Sequence, residues 1–402
     1  MADHCSQARF VWNVGLEQRK FWSHSRKHVL KSLTAVDQHK ELALVRKWDD
    51  WLGSGSSIVQ QQALRELHQA YVNWWKNPQH FGPPTWRKKH LNESFRLHAQ
   101  GFKVRPISKR HGEVFLAKVG WVKFRRTRPL SHILRAKSVV VKLDRQGRWH
   151  VSFTLPQPEV VKTASGRSVG VDAGVVHTVT TSDGKHHSPE GLRPKEQERL
   201  VRLERKLARQ QKGSNRREQT RLKIAKLKGR KTARRRDWNE KTTTGLVREF
   251  DFVGIENLSV KNMMKSASGT VEEPGTNVAQ KRGLNRSISE QGWGEFRRRL
   301  EQKAEAATTL TLVVAVPPAY TSQQCFRCGH VAEGNRENQA DFNCTACGHE
   351  SNADVNAALN IEQAALREHA AGHAVSGHGD LALAGSVKCQ PPETAEPALV
   401  PA

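Results

Sequence analysis

Residues 167–185 have the sequence RSVGVDAGVVHTVTTSDGK, and this stretch decides the fold of the second half of the chain. An apolar run ends at Asp172, small residues follow, and a second apolar run ends at Asp183 and Gly184. Short apolar runs bounded by turn residues predict buried strands, and acids at strand ends lie where α/β sheets carry functional groups. We therefore predict an α/β fold with a candidate functional carboxylate at Asp172.

Two further apolar stretches predict strands of the same sheet. Residues 251–260, DFVGIENLSV, place Glu256 at the end of one strand, and residues 310–317, LTLVVAVP, predict another. Residues 351–361, SNADVNAALNI, place Asp354 at the start of a helix. Any one of these acids would more often be a turn former or a surface residue. Together they form a set of carboxylates carried on separate elements.

This set of three acids has the chemistry of a magnesium site. Magnesium prefers oxygen ligands and retains several waters, so a few carboxylates can hold it against a phosphate. Two such ions, about 3.5 to 4 Å apart, would activate water and stabilise the departing oxygen of an in-line displacement. Asp172, Glu256 and Asp354 therefore predict phosphodiester hydrolysis with two magnesium ions, or with manganese as an alternative.

Four cysteines form two C-x2-C pairs separated by fifteen residues: Cys325, Cys328, Cys344 and Cys347. This spacing predicts a tetrahedral zinc site, and four thiolates fill every coordination position, which indicates a structural role. Such a site would contribute folding free energy on the order of 10 kcal/mol. Free buried thiols and an iron centre are the alternatives.

The charge of the chain favours a polyanionic partner. It contains 66 Lys and Arg against 39 Asp and Glu, a formal net charge of +27, and nucleic acid is the partner that fits best. Two strongly basic stretches, about 194–212 and 215–250, predict helices on either side of Gly213 and Ser214. A phosphate-facing role is favoured over a merely solvated basic hairpin.

In the first half of the chain, the spacing of apolar residues changes once, from a helical period to a strand period. Residues 8–76 predict a small helical bundle, and residues 77–84, rich in Pro and Gly, end it. Residues 94–155 alternate between apolar and polar and predict a β-rich module. Its basic residues would suit a phosphate backbone: Lys88, Lys89, Arg96, Lys103, Arg105, Lys123, Arg125, Arg126 and Arg128.

The remaining segments predict a flexible loop at about 266–286, an amphipathic helix at about 289–307 and a largely disordered tail after about His369. No hydrophobic stretch approaches membrane-spanning length, and the start, MADHCSQARFVW, lacks the apolar run of a signal peptide. We therefore expect a soluble cytoplasmic protein, associated with the nucleoid.

These motifs together resemble the TnpB family, the OrfB-type proteins of bacterial insertion sequences, which are related to compact type V CRISPR effectors. The resemblance extends from about Cys5 to Glu362. Its anchors are CSQARFVWN, GVDAGV, the basic helices, GIENLSVKNM, SISEQGWGEFRRRLEQKA, and AYTSQQCFRCGH through CTACGHESNADVNAALNI. It implies an RNA-guided DNA endonuclease in which Asp172, Glu256 and Asp354 are a RuvC-type acidic triad and the four cysteines hold a zinc ribbon.

The resemblance implies a multidomain α/β protein with an RNase H-like (RuvC-type) nuclease core and an inserted four-cysteine zinc ribbon, preceded by a helical recognition bundle and a β-rich wedge. The implied boundaries are 1–13 for the start of the wedge, 14–85 for the recognition lobe, 86–160 for the wedge, 161–318 for the nuclease, 319–350 for the ribbon, 351–368 for the end of the nuclease and 369–402 for the tail.

The implied partners are a guide RNA from the transposon end and target double-stranded DNA, with one protein monomer for each guide RNA and no membrane. Base pairing would read the target, while the protein would read a short flanking motif. Two features depart from the family. The usual first strand of the wedge is missing before Cys5, which would expose a strand edge, and Glu240 replaces a common histidine.

Other functions remain open at this point. A guide-RNA-bound DNA-binding regulator without efficient cleavage is one alternative, although three mutually repelling carboxylates favour cutting. A compact type V CRISPR effector is another. A DDE-type transposase fits poorly with the zinc module and the basic hairpin, and a Holliday-junction resolvase would not need the first 160 residues.

Overall fold

A computed structural model describes residues 1–21, 33–127, 129–270, 272–336, 338 and 340–376. The chain divides into two compact units. The first contains residues 1–158 and 190–237, and the second contains residues 159–189 and the chain from Trp238 onward. The second unit is therefore interrupted in sequence by a segment that belongs to the first.

The first unit begins with helices: α1 (Ala2–Lys20), α2 (Ala35–Trp48), α3 (Asp50–Ser54) and α4 (Ser57–Lys76). Thr34 caps α2, because its hydroxyl accepts the N–H of Asp37 while the Asp37 carboxylate accepts the N–H of Thr34. Leu16 of α1 and Leu67 of α4 are fully buried against each other's helix. The helices lie where the sequence predicts a bundle.

Two antiparallel sheets follow in the first unit. Their elements are β1 (Ser94–His98), β2 (Phe102–Pro106), β3 (His111–Leu116), β4 (Gly120–Arg125), the short helix α5 (Leu130–Ile133), β5 (Ser138–Leu143) and β6 (Trp149–Thr154). One sheet has the order β1-β5-β6 and the other β2-β3-β4. Alternate residues of each strand face inward, and Leu97, Val114, Leu116 and Val139 share one core.

The basic segment forms a helical hairpin of α6 (Pro194–Arg209) and α7 (Asn215–Glu249), as the sequence predicts. Leu200 of α6 packs with Ile224 and Leu227 of α7. Because apolar contacts occupy this inner seam, the cations of α6 are left on its outer side.

The second unit is built on a five-stranded sheet. Its strands are β7 (Ser168–Asp172), β8 (Val179–Thr181), β9 (His186–His187), β10 (Phe252–Glu256) and β11 (Leu312–Val316). The order is β11-β10-β7-β8-β9, with β11, β10 and β7 parallel and with β8 and β9 antiparallel. The remaining elements are α8 (Val260–Met263), α9 (Val278–Gln291), α10 (Trp293–Glu305), the short pair β12 (Asp341–Asn343) and β13 (Glu350–Asn352), and α11 (Ala353–Ser376).

The two faces of this sheet receive different helices. Val169 and Val253 face a core completed by Val247 of α7 and Leu300 of α10. The opposite face meets α11 at Gly170, where a Cβ atom would lie 1.9 Å from the carbonyl oxygen of Ala358. Only glycine permits that approach, so α11 lies directly on the backbone of β7.

The predicted division between residues 13 and 14 falls inside α1, which runs without a break from Ala2 to Lys20. Three other predicted boundaries are wrong. The single helix predicted at 289–307 is two helices, since Gly292 has φ 76° and ends α9 before α10 begins. The predicted loop at 266–286 ends where α9 begins at Val278. The predicted tail begins inside α11, which continues to Ser376.

Two predictions concern residues outside the described ranges. Arg128 is one of the basic residues predicted for the β-rich module, and 377–402 is the greater part of the predicted tail. Among the helices that are described, none combines the length and the apolar character needed to cross a membrane.

Candidate functional site

The two strand-end acids, Asp172 and Glu256, come from adjacent parallel strands. β10 and β7 are paired in register up to Ile255 and Val171, so the two acids occupy the next step at the same edge of the sheet. Because side chains alternate along a strand, Asp172 lies on the same face as Gly170, the face that α11 covers.

Asp354 lies in the first turn of α11, on the side of the helix that faces β7. Ala358, whose carbonyl oxygen approaches Gly170, follows Asp354 by one helical turn, so both belong to one face of α11. The side-chain oxygen of Asn352 accepts the N–H groups of Asp354 at 3.1 Å and Val355 at 3.2 Å, and so caps the helix. The structure thus brings all three predicted acids to one edge of the sheet.

The electrostatics of this edge are those of an incompletely neutralised acidic cluster. Burial, together with the charges of Glu256 and Asp354, raises the pKa of Asp172 to about 8, while Arg336 and the N–H of Ala173 oppose the shift. Burial also raises the pKa of Glu256, against a hydrogen bond from Thr321. A proton is therefore held at Asp172 near neutral pH in the metal-free protein.

The loop that follows Asp172 is held in place by the junction between α9 and α10. Gln291 donates from Nε2 to the carbonyl of Val175 at 3.0 Å and accepts the hydroxyl of Thr178 at 2.5 Å. The indole N–H of Trp293 donates to the carbonyl of Thr178 at 3.1 Å. Through these contacts, the stretch SISEQGWGEF positions the turn beside Asp172.

Two residues that the sequence did not single out contact the acids directly. The hydroxyl of Thr321 donates to Oε1 of Glu256 at 2.9 Å. A guanidinium nitrogen of Arg336 lies 3.4 Å from Oδ1 of Asp354, with only 27% and 15% of the two side chains exposed. Arg336 lies between the two cysteine pairs, so only its proximity in the fold connects it with Asp354.

The four cysteines converge as their spacing predicts. Sγ of Cys325 lies 3.7 Å from Sγ of Cys347, and Sγ of Cys328 lies 3.6 Å from Sγ of Cys344. Tetrahedral zinc with Zn–S bonds of about 2.3 Å requires sulfur atoms about 3.8 Å apart, so the set fits such an ion. Within the described ranges, it is the one group of three or more Cys, His or acidic side chains whose ligand atoms all lie within 4.8 Å of one another.

The local backbone closes both cysteine turns and favours ionisation of one thiol, that of Cys344, whereas burial raises the pKa of the Cys325 thiol. Each pair closes a turn in which a glycine N–H donates to the carbonyl of the first cysteine, Gly329 to Cys325 at 2.8 Å and Gly348 to Cys344 at 2.9 Å. Burial opposes ionisation of Cys344, but the backbone N–H groups of Cys347 and Ala346 outweigh it and lower the pKa of this thiol to about 6. A thiolate is the form that binds metal.

Buried amides tie the cysteine segment to α11. Asn356 donates to the carbonyl of Gln324 at 2.7 Å and accepts the N–H of Phe326 at 3.0 Å, and Asn360 donates to the carbonyl of Thr321 at 3.0 Å. Within the cysteine segment, Asn335 is fully buried and donates to the carbonyl of His330. Sequence reasoning missed these amides, although three asparagines in NADVNAALN were a visible signal.

Glu240, the residue predicted to replace a histidine of the family, belongs to an ion cluster. It accepts two hydrogen bonds from Arg299, at 2.6 and 2.8 Å, and lies 3.0 Å from Nζ of Lys303. Hydrogen bonding from Arg299 lowers the pKa of Glu240 to about 2, despite partial burial. The residue therefore stabilises the packing of α7 against α10.

Comparison with known proteins agrees with this arrangement. Residues 139–267 match the OrfB_IS605 family, described as "Probable transposase", and residues 293–361 match the Cas12f1-like TNB domain. The chain is 40% identical over 343 residues to "Putative RNA-guided DNA endonuclease InsQ" of Escherichia coli (strain K12), covering 85% of this chain and 81% of that protein.

A second relative and a solved structure extend the comparison. "Putative RNA-guided DNA endonuclease" of Streptomyces pristinaespiralis is 32% identical over 389 residues, covering 95% of this chain and 90% of that protein. The structure described as "Cryo-EM structure of the Cas12f1-sgRNA-target DNA complex" matches with a TM-score of 0.55 at 15% identity, over 90% of this chain and 81% of that chain. This structural match is a likeness of fold.

Proposed function

The chain belongs to the TnpB family, the OrfB-type RNA-guided DNA endonucleases of insertion sequences, and from that membership we propose that it binds a guide RNA and hydrolyses phosphodiester bonds of target double-stranded DNA. The observation that carries the proposal is the convergence of Asp172, Glu256 and Asp354 at one sheet edge, with a pKa of about 8 at Asp172.

Such a cluster suits divalent cations. Three carboxylates with one nearby guanidinium retain excess negative charge, and an oxygen-only donor set is the type that magnesium and manganese prefer. Bound magnesium would supply Lewis-acid activation of water and of the scissile phosphate.

The neighbouring residues would keep the acids ready for these ions. Thr321 fixes Oε1 of Glu256, and the Asn352 cap holds the first turn of α11 and with it Asp354. Arg336 limits the rise in the pKa of Asp172 and so favours the carboxylate form that binds metal. Its guanidinium would also be able to contact a DNA phosphate bound beside the acids.

The cysteine set would hold one structural zinc ion. Four sulfur ligands complete the coordination, so substrate has no access to the ion. The hydrogen bonds of Asn356 and Asn360 would fix the position of α11 relative to the ordered cysteine segment. Zinc would thereby stabilise the position of Arg336 and of the helix that carries Asp354.

For the domain layout, we propose that the five-stranded sheet and its helices are an RNase H-like, RuvC-type nuclease interrupted by a zinc ribbon at 319–350. In the first unit, α1–α4 would form the recognition lobe and the two antiparallel sheets the wedge. The protein would act in the cytoplasm at the nucleoid, as one monomer for each guide RNA.

A row of exposed cations on α6 supports an RNA or DNA partner. The outer side of α6 carries four exposed cations at helical spacing, the α6 stripe: Arg202, Arg205, Lys206 and Arg209. None of them has an acidic partner within ion-pairing distance among the described residues. Other cations of the same hairpin are already neutralised, for example Arg221 by Glu218 at 2.9 Å and Lys228 by Glu204 at 2.8 Å.

Cleavage is tested with the protein purified together with its bound RNA. Wild type should cut a DNA duplex that matches the RNA in the presence of magnesium. Asp172→Ala and Asp354→Ala should each lower the rate by on the order of a thousandfold or more, because the ligands act as one unit. Both variants should retain the RNA. Asp183→Ala, which alters an exposed acid of the same unit, is the control and should cut normally.

Two results would contradict this function. If no discrete RNA species is enriched with the wild-type protein, the guided mechanism is wrong. If the RNA is enriched and matched DNA is bound but never cut, the chain is a guide-bound regulator instead.

The α6 stripe is tested by the salt dependence of RNA binding. Arg202→Gln with Arg205→Gln should reduce the slope of log K against log salt by about 1.4, since each phosphate contact of a single strand contributes about 0.7. Arg221→Gln with Lys228→Gln removes the same charge from paired cations and should change the slope less. Equal changes would show that the stripe has no special role.

A further inference from the structure

The outer face of the sheet β2-β3-β4 is not used by the mechanism above. Its inner face packs into the core of the first unit through Phe102, Val114 and Leu116. The alternate residues point away from that core and remain exposed or half-buried. They are mostly aromatic or cationic: Lys103, Arg105, Glu113, Phe115, Trp121, Lys123 and Arg125.

The strand register arranges these side chains in rows across the sheet. Lys103 is opposite Phe115, and Phe115 is opposite Trp121. In the next row, Arg105 is opposite Glu113, and Glu113 is opposite Lys123. Because rows on one face are two residues apart, they lie roughly 7 Å from each other along the strands.

Contacts between the rows hold these side chains together in one layer. The Arg105 guanidinium lies 4.1 Å from the centre of a Trp121 ring, and the carboxylate of Glu113 holds it there at 2.7 Å. The Phe115 ring lies 5.5 Å from that of Trp121, at 64° to it. Trp121 is still 40% exposed, and the Arg105 side chain is 54% exposed. The layer is therefore fixed in geometry and open to solvent.

The charge around this layer is positive and uncompensated. Glu113 is the one acid of the face, and Arg105 already neutralises it. Lys103, Lys123 and Arg125 have no carboxylate within ion-pairing distance in the described part of the chain. A stabilising pair between Arg105 and Trp121 explains the stacking of those two side chains, but three further unpaired cations on the same face add only repulsion to an isolated protein.

A ligand that relieves this repulsion combines a flat π system with negative charge, and an unpaired nucleotide has both. We propose that Arg105, Phe115 and Trp121 form a stacking site, the β2–β4 platform, for an unpaired base of the guide RNA, while Lys103, Lys123 and Arg125 contact the flanking phosphates. The inference rests on the proposed function, which provides the RNA. Bases that stack on aromatic rings and guanidinium planes of a sheet are a common mode of single-stranded RNA recognition.

Guide RNA is favoured over target DNA because only unpaired bases can stack on the platform. The target strand is paired with the guide, so its bases are not available for stacking. Unpaired nucleotides of the guide RNA are present before any target is bound. The platform would then hold the RNA in the resting complex, and the displaced DNA strand is the alternative occupant that the experiment must separate.

The first test is ultraviolet crosslinking of the full-length protein with its co-purified RNA, followed by mass spectrometry. A ribonucleotide adduct is expected on the tryptic peptide 119–123, VGWVK, which contains Trp121. An adduct that forms only after target DNA is added, and that carries a deoxynucleotide, would overturn the assignment to RNA. Absence of any adduct on this peptide, with adducts elsewhere on the chain, would overturn the platform.

The second test is the affinity for the isolated guide RNA. Trp121→Ala should raise the dissociation constant about fivefold to a hundredfold, the range expected for loss of one base–aromatic stack. Trp121→Phe should recover most of the affinity because it retains a ring. Trp149→Ala is the matched control, since Trp149 lies on the other sheet with 36% exposure and no ring contact among the described residues, and it should bind normally.

Salt dependence distinguishes stacking from a general loss of structure. Trp121→Ala should leave the slope of log K against log salt unchanged, whereas Lys123→Gln should reduce it by about 0.7. If Trp121→Ala melts early, Arg105→Gln, which keeps the indole, replaces it and should also weaken RNA binding. Unchanged affinity in a folded Trp121→Ala protein would refute the platform, whereas a wild-type protein without bound RNA would refute the proposed function itself.

Discussion

The cysteine segment and the acidic edge of the sheet are both candidate metal centres, but they are assembled in opposite ways. The four cysteines lie within residues 325–347, and their sulfur atoms lie within 4.8 Å of one another. The acids come from β7, β10 and α11, at positions 172, 256 and 354, and are less tightly gathered. The cysteine site is a local cage, whereas the acidic site exists only after the sheet and α11 have come together.

This difference is consistent with the two proposed roles, a structural zinc site at the cysteines and a catalytic magnesium site at the acids. A closed cage of four thiolates is satisfied by its ion and has no position for a substrate. At the acidic edge, burial and the charges of Glu256 and Asp354 raise the pKa of Asp172 to about 8, so the cluster of acids retains uncompensated negative charge. Arg336 links the two, because it belongs to the cysteine segment and contacts Asp354 of the acidic edge.

The largest effect is expected when the cage is broken. Cys344→Ser should reduce the zinc content below one ion per chain and lower the melting temperature, because structural zinc contributes on the order of 10 kcal/mol to folding of its module. Cleavage should be lost together with the order of Arg336 and α11. Zinc analysis and thermal unfolding measure the outcome, and Cys5→Ser, at a thiol in the first unit, should leave the zinc content unchanged. A normal melting curve at low zinc content would refute the structural role.

A smaller effect is expected when only the link between the two regions is removed. Arg336→Ala should lower the cleavage rate by about tenfold to a hundredfold at limiting magnesium, the range typical of residues that orient metal ligands. Since Arg336 lowers the pKa of Asp172, its loss lets protons compete better with magnesium. The defect should therefore be greatest at low pH and diminish as the pH rises. Rates measured over magnesium concentration and pH provide the test.

Two further variants control that experiment. Arg336→Lys keeps the positive charge and should recover part of the rate. Arg327→Ala removes an exposed arginine of the same segment and should cleave normally. A defect in Arg336→Ala that does not change with pH would mean that Arg336 acts without affecting Asp172.

The smallest effect concerns stability without magnesium. The folded protein keeps Asp172 protonated up to about pH 8, whereas the unfolded chain releases that proton near pH 4. Because the folded state holds the extra proton between these values, the free energy of unfolding falls as the pH rises from about 4 to 8. Asp172→Asn should remove this dependence and melt higher than wild type at pH 8 by several degrees, at about 2 to 4 °C for each kcal/mol.

The opposite sign is expected at an exposed acid. Lys185 holds the pKa of Asp183 below its usual range, so that Asp183 adds stability at neutral pH that is lost as the pH falls. Asp183→Asn should therefore not melt higher at pH 8. Differential scanning calorimetry with zinc retained distinguishes the two variants, and an identical pH dependence in both would contradict the buried proton at Asp172.

Much of the site was visible in the sequence because its signals are local. The apolar runs that end at Asp172 and Glu256 predict β7 and β10, and the cysteine spacing predicts the cage. The helix that carries Asp354 is also local, since its cap, Asn352, is two residues away. Thr321 and Arg336 were missed, because neither stands in a motif and each meets an acid distant in sequence.

Boundaries were less predictable where a single residue overrides the pattern. The apolar spacing from 289 to 307 suits one helix, but the left-handed backbone at Gly292 divides it and turns Trp293 toward the carbonyl of Thr178. The helical bundle was predicted to begin at about residue 8, whereas α1 begins at Ala2.

The sequence by itself determined the types of candidate metal ligand, thiols and carboxylates. It also determined the order of the helices and strands and the positive net charge, since all of these depend on residue identity and short-range spacing. Only the tertiary structure decided that α11 lies against the backbone at Gly170, which brings Asp354 to the strand ends. Only the tertiary structure buries Asp172 and so raises its pKa. It also places Arg336 beside Asp354 and stacks Arg105 on Trp121. The physical reason is that burial, like-charge repulsion and stacking depend on distances between segments that are far apart along the chain.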